Sequence, residues 1–182
     1  MNTVALAARA PRTRALGILV AVGVLALSAQ FALPMPGTPV PLTLQPLVVV
    51  LAGMWLGPVA GAASMVLYLC AGAAGLPVFS PFGAPGIARF VGPTGGYLFA
   101  YPVAAFVAGA LALRSSTLLG RWVAALAGTT VLLLGGLAQL TILSGSLAHA
   151  LPLAIHPFVP LDAVKALVAA LLVPRSTVRA PV

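Results

Sequence analysis

The sequence holds one acidic residue, Asp162, one lysine, Lys165, and one cysteine, Cys70, in 182 residues. Each scarcity excludes something. A single cysteine cannot close an intrachain disulfide, and within its apolar segment it reads as a small buried hydrophobe rather than a reactive thiol. A single carboxylate leaves no second acid for acid–base work, so a membrane enzyme is disfavoured. The one lysine lies near the end of the chain, outside any Gly-x-x-x-x-Gly-Lys-Ser/Thr loop, which removes that route to ATP hydrolysis. His149 and His156 flank Pro152 in a segment with no His-Glu-x-x-His pattern and too few further ligands for a metal, so they read as solvated loop residues. Charged residues make up 5% of the chain, against a soluble average of about 25%. The net charge of +8 comes mostly from scattered arginines, without the basic run or interleaved aromatics that grip nucleic acid.

What fills the chain instead is apolar. Hydrophobic residues amount to 62% and the mean hydropathy is +1.17, which places the sequence among integral membrane proteins. Apolar segments run over 15–33, 46–57, 59–76, 94–113, 122–143 and 158–173, separated by proline, glycine or arginine. The second and last are shorter than the roughly 17 residues usually needed to span, so they must tilt or borrow length from their loops. Six spans with a cytoplasmic N-terminus put Arg9, Arg12, Arg14, Arg114, Arg121, Arg175 and Arg179 on the cytoplasmic side, as the positive-inside rule requires. Arg89 and Lys165 are the exceptions. The predicted organisation is one all-α domain over 1–182, with a cytoplasmic segment 1–14, a bundle over 15–173 and a cytoplasmic tail 174–182. The N-terminal apolar run also has features of a signal peptide, but it is long for one and leads straight into another membrane segment.

The loops on the outer side are of a different kind. The first, after helix 1, places Pro34, Pro36, Pro39, Pro41 and Pro46 close together, so it cannot be helical and should be extended or turn-rich. The second, after helix 3, combines six glycines with four prolines around Arg89. Backbone without helical hydrogen bonds is tolerated at membrane depth only when buried in protein or lining a wet cavity. Two such loops on one face predict a cavity with a lid. Pro160 suits the first turn of the last helix, Asp162 follows where the dipole favours an anion, and Lys165 at i+3 shares its side. As a structural pair near water, Asp162 and Lys165 would return only about 0–1 kcal/mol. Charge in a span costs about 2.5–3.5 kcal/mol at its centre, which favours a role in ligand contact. Arg89 adds a cation in an outer loop, and Tyr97, Gln45 and Thr43 add neutral hydrogen-bonding groups beside it. The predicted ligand is small, with a carboxylate at one end and an N–H-rich head at the other.

Three blocks, "VPLTLQPLVVVLAGMWLGPVAGAASMVLYLCAGAAGLPVF", "GPTGGYLFAYPVAAFVAG" and "PFVPLDAVKALVAALL", in this order and spacing over roughly 15–173, closely resemble the BioY family. These are the biotin-specific substrate-binding components, or S-components, of energy-coupling factor transporters. Leu161 stands where the family usually has glycine. The resemblance implies a six-helix S-component in a bacterial cell membrane, with both termini cytoplasmic. It would bind biotin from outside under the loop after helix 1, with no cofactor. It also implies that Asp162 and Lys165 contact biotin, with the ureido N–H groups meeting the carboxylate. Arg89 and Tyr97 would form the opposite wall, with Arg89 toward the valerate carboxylate. Phe79, Phe82 or Phe90 would lie against the thiophane ring. The implied partners are membrane lipid, a transmembrane coupling subunit and two ATP-binding subunits. Small-residue spacings permit close helix approach; Gly17 and Ala21 resemble the family's docking surface for the coupling subunit, and Gly57 and Gly61 near the third helix share the pattern. A homo-oligomer is left open. Two other readings remain at this level: an S-component for another vitamin, and a solitary ion-coupled carrier using Asp162.

Overall fold

The computed structural model describes residues 11–174; Arg9, Arg175 and Arg179 lie outside them. The six apolar segments become six helical units. Helix α1 spans Pro11–Gln30 and runs into a hairpin, β1 Ala32–Leu33 against β2 Leu42–Thr43, in which Ala32 faces Thr43 and Leu33 faces Leu42. Helix α2, Gln45–Leu56, has Pro46 in its first turn, where the ring fixes φ and the missing amide costs nothing. Gly57, at φ 85°, breaks the chain before α3, Pro58–Ala73. The second outer segment is irregular except for a 3-10 turn at Gly86–Val91 and leads to α4, Gly95–Ala112. Helix α5, Leu118–Ser144, is capped by Thr117 Oγ1, which accepts from the Gly120 amide at 3.1 Å, and ends at Gly145 in the left-handed conformation.

The last unit differs from its expectation. The segment read as a loop around Pro152 contains a short helix, α6, Leu147–Ala154, started by Ser146 Oγ, which accepts from the His149 amide at 3.3 Å. It meets α7, Val159–Leu172, at 48°. α1, α4 and α5 are long and apolar enough to cross a membrane by themselves, and α6 with α7 passes as a bent pair; α2 and α3 are shorter apolar helices.

The molecule is apolar outside and small-residue inside. Leu27, Phe31, Ile142 and Leu171 are among many exposed large hydrophobics, as lipid contact requires. The interior is built on Ala60, Ala104, Ala105, Ala108, Ala124, Ala125, Ala166 and Ala169, all fully or almost fully buried. Without a hydrophobic drive between helices in lipid, close backbone approach supplies the packing. A Cβ on Gly53 would stand 2.0 Å from the Ala105 carbonyl oxygen, and one on Gly61 would stand 2.5 Å from the Gly53 Cα. Gly53 is thus the point where α2, α3 and α4 meet, and α4 is the central helix, contacting α2, α3 and α5 extensively. α1 is peripheral and packs on α2 and α3. Cys70, expected to be buried, is exposed on α3, because hydropathy cannot tell a lipid-facing position from a core one. Arg121, expected among the cytoplasmic basic residues, is buried. Its Nη1 donates to the Val173 carbonyl and closes the C-terminal end of α7 onto α5.

Gly53→Leu is expected to lower the unfolding temperature in detergent by several degrees, since overpacking costs about 1–3 kcal/mol. Gly23→Leu, with open space around the added atoms, should leave it unchanged. Equal thermal behaviour of the two variants would show that the α2–α4 contact is not limiting.

Candidate functional site

A cavity lies between α2, α4, α5 and α7, beneath the hairpin and beside the irregular segment. Its walls include Thr43, Gln45, Arg89, Tyr97, Asp162 and Lys165, residues spread over 123 positions of sequence. Its volume is about 50 Å3, room for a few waters at the roughly 10–15 Å3 that each requires.

Asp162 and Lys165 come from the first two turns of α7, which Pro160 starts. Lys165 Nζ donates to Asp162 Oδ1 at 2.8 Å, with the side chains 13% and 5% exposed. The pair is therefore buried in the wall, not poised at an open mouth. Removing two charges from water costs more than a single contact returns unless other partners complete their hydrogen bonding. Among the described residues nothing donates to Asp162 Oδ2. Leu161 lies within the same helical turn and is 41% exposed, so the helix accommodates it without turning Asp162 away from the cavity.

Arg89 comes from the 3-10 turn and is buried. Its Nη1 donates to the Phe82 carbonyl and its Nη2 to the Ser80 carbonyl, and its guanidinium carbon stands 5.9 Å from the centroid of Phe79. Gly83, at φ 109°, leaves the space that the guanidinium fills, since a Cβ there would lie 2.5 Å from Nη1. Nε is buried without a partner. Burial lowers the Arg89 pKa from its ordinary value, but that value is so high that the group stays a cation. No acid offsets it, because the only carboxylate side chain in the sequence is paired with Lys165.

The neutral candidates are tied into the protein. Gln45 Nε2 donates to the Tyr68 hydroxyl at 2.8 Å, which donates in turn to the Val78 carbonyl at 2.9 Å. Tyr97 donates to the Ala154 carbonyl at 2.8 Å, joining α4 to α6, and Gly136 leaves room for its ring. Thr43 Oγ1 accepts from the Gln45 amide at 3.3 Å. Over them lies the hairpin, whose Thr38 Oγ1 donates to the Leu153 carbonyl at 2.8 Å and whose Val40 is buried in the cavity wall.

Of the three phenylalanines expected near a ligand ring, Phe79 lines the cavity, Phe82 is 44% exposed, and Phe90 packs edge-on behind Phe79 at 5.8 Å. Sequence reasoning missed Phe158 and Tyr101, both in the cavity wall. Thr94, Tyr97, Leu98 and Tyr101 recur at spacings of three and four, the period of one helix face, and that was the available signal. Gly17 and Ala21 lie elsewhere, in an apolar groove of about 630 Å3 between α1 and α2 that also meets Val48, Ala52 and Trp55.

The family model of the BioY family matches residues 3–181. A protein of Pyrococcus horikoshii named as a probable biotin transporter BioY is 42% identical over 141 residues, 75% of this chain and 80% of that protein. The biotin transporter BioY of Thermotoga maritima is 37% identical over 137 residues, with the same shares. A crystal structure of the S-component for biotin from an ECF-type ABC transporter superposes with a TM-score of 0.79 at 26% identity, covering 90% of this chain and 92% of that one.

Lysine cannot reproduce the fork by which Arg89 holds two carbonyls. Arg89→Lys is expected to speed hydrogen exchange of the amides over 78–92 by about tenfold, the equivalent of one lost charged hydrogen bond, with α5 unaffected. Unchanged exchange in that segment would show that Arg89 does not hold it.

Proposed function

The chain belongs to the BioY family, and from that premise we propose that it is the biotin-binding membrane S-component of an energy-coupling factor transporter. It captures biotin on the outer side and is not itself an enzyme. The observation that carries the ligand assignment is the charge balance of the cavity wall. Asp162, Lys165 and Arg89 sum to one positive charge around one cavity, with Asp162 and Arg89 buried and Lys165 partly so. A monocarboxylate neutralises that sum; a cationic vitamin such as thiamine worsens it. Biotin adds what the wall asks for at its other end, since ureido N–H groups suit Asp162 Oδ2 while Arg89 attracts the valerate carboxylate. Phe79 and Phe158 offer apolar surface to the ring between.

A bicyclic ligand with a valerate tail is larger than the few waters the cavity can hold, so the hairpin 31–44 acts as the lid. It lifts for entry by releasing the Thr38–Leu153 bond and closes over the bound vitamin. The end opposite the lid carries exposed Arg12, Arg14 and Arg114, which supports a cytoplasmic position for that end and for both termini, and an outward-facing lid. The chain has no phosphate-binding loop of its own, so transport needs ATP-binding subunits and a membrane coupling subunit. The α1–α2 groove with Gly17 and Ala21 is the surface proposed for the latter, because α1 is packed on one side alone and small residues admit a helix closely.

Calorimetric titration of the purified protein in detergent is expected to show binding of biotin and none of thiamine or riboflavin. Asp162→Asn should weaken binding by at least about tenfold, since a charged hydrogen-bonding partner is lost. The methyl ester of biotin should lose a similar factor by leaving Arg89 uncompensated. Binding of thiamine, or equal binding of ester and acid, would contradict the charge-balance argument. Gly17→Trp, which fills the groove, should leave biotin affinity within about twofold while removing ATP-dependent uptake in cells that supply the other subunits. Normal uptake by this variant would place the docking surface elsewhere.

A further inference from the structure

Three tyrosines lie beside the cavity, and the hydroxyls of two of them are explained by the protein alone. Tyr68 donates to the Val78 carbonyl and accepts from Gln45; Tyr97 donates to the Ala154 carbonyl. Tyr101 is different. It lies one turn further along α4 than Tyr97, lines the same cavity, and is only 5% exposed. Its ring has a role, stacked on Tyr68 at 6.2 Å and 23°. Its hydroxyl has none: among the described residues no protein group hydrogen-bonds to it, and since it is not one of the buried polar atoms left without a partner, it opens onto the cavity. A phenylalanine would stack equally well, so packing alone does not account for the hydroxyl.

The main other donors of the cavity wall already have protein partners, with Arg89 Nε the exception. Lys165 is held by Asp162 at 2.8 Å, both Nη atoms of Arg89 are taken by the Ser80 and Phe82 carbonyls, and Gln45 donates to Tyr68. A cyclic urea offers two N–H donors and one carbonyl acceptor. The wall has a free acceptor for the first in Asp162 Oδ2. For the second it has the neutral Tyr101 hydroxyl, which opens onto the cavity without a protein partner.

We propose that Tyr101 is a contact and specificity residue of the ligand site, its hydroxyl donating to the ureido carbonyl oxygen of biotin whose N–H groups face Asp162. The inference rests on biotin as ligand and adds to that reading a residue and a selection rule. A site built to donate to a buried carbonyl rejects an analogue that lacks it, because the site's own donor is then left unpaired. Discrimination at the ureido head would therefore be set by one hydroxyl, and the carboxylate of Asp162 would hold the ring in register for it.

The test uses the full chain in detergent, with Tyr101→Phe and Tyr97→Phe titrated against biotin and against 2-thiobiotin, whose thiocarbonyl sulfur is a poor acceptor and no donor. Tyr101→Phe is expected to weaken biotin by about tenfold, as loss of one hydrogen bond in a closed site does, and 2-thiobiotin by less than about twofold. The preference for biotin then falls by roughly the difference. Tyr97→Phe, whose hydroxyl serves the Ala154 carbonyl, should move both ligands together and leave the preference intact. Thermal unfolding of each variant reports whether the fold is kept. Wild-type affinity in Tyr101→Phe, or an equal loss for both ligands, would overturn the assignment of Tyr101 while biotin binding by the wild type still stood. Absence of biotin binding by the wild type would overturn the functional reading and this inference together.

Discussion

The backbone between α3 and α4 has carbonyls but no helix to pair them, and the rest of the site depends on how they are satisfied. Unpaired backbone groups cannot be left against an apolar bundle. Donors are brought in from four directions: Gln30 from α1 to the Phe79 carbonyl, Tyr68 from α3 to Val78, Arg89 to Ser80 and Phe82, and Gln139 from α5 to Gly92. The segment is thereby fixed to three helices at once. Phe79 is pressed against Tyr68 and Phe90 as a result, and one wall of the cavity acquires a shape that the irregular backbone alone could not hold.

This use of Arg89 changes what a cation in an outer loop means. A charge that reaches a ligand from a mobile loop would lose side-chain entropy on binding. Arg89 has already lost it, because its fork is locked on two carbonyls of its own segment. Those carbonyls are neutral and cannot cancel its charge. The buried ion pair on α7 cannot do so either, since it is neutral within itself. The same residue therefore organises the segment and leaves an uncompensated positive charge beside the cavity. Structural and ligand-directed readings of Arg89 are in this way two consequences of one geometry.

How far the sequence carried follows the same physical lines. Pro46, the Gly57–Pro58 pair and Pro160 each act locally through φ or a missing amide, so the starts of α2, α3 and α7 were legible to within a residue or two. The turn-rich segment after α1 was legible from its prolines for the same reason. Helix α6 was not, because Pro152 signals a break, whereas the helix that contains it starts from a single hydroxyl, the Ser146 cap. Cys70 was misplaced because lipid and core are equally apolar. Membership of the cavity was legible for charged residues, whose burial demands a reason. It was not legible for Tyr101, since a tyrosine in a membrane helix is ordinary until its neighbours' hydroxyls are seen to be occupied.

One helix serves both regions of the molecule. The first turn of α2 gives Gln45 and Pro46 to the cavity, while Val48, Leu51, Ala52 and Trp55 further along give a wall to the groove under α1. Gly53 pins this short helix against α4, whose Tyr97 and Tyr101 line the cavity. α2 is thus too closely seated to move independently of the cavity floor, whereas α1 is packed on one side alone. The groove and the cavity share one helix but no lining residue, so an apolar partner can grip the outer face of the bundle without entering the polar cavity.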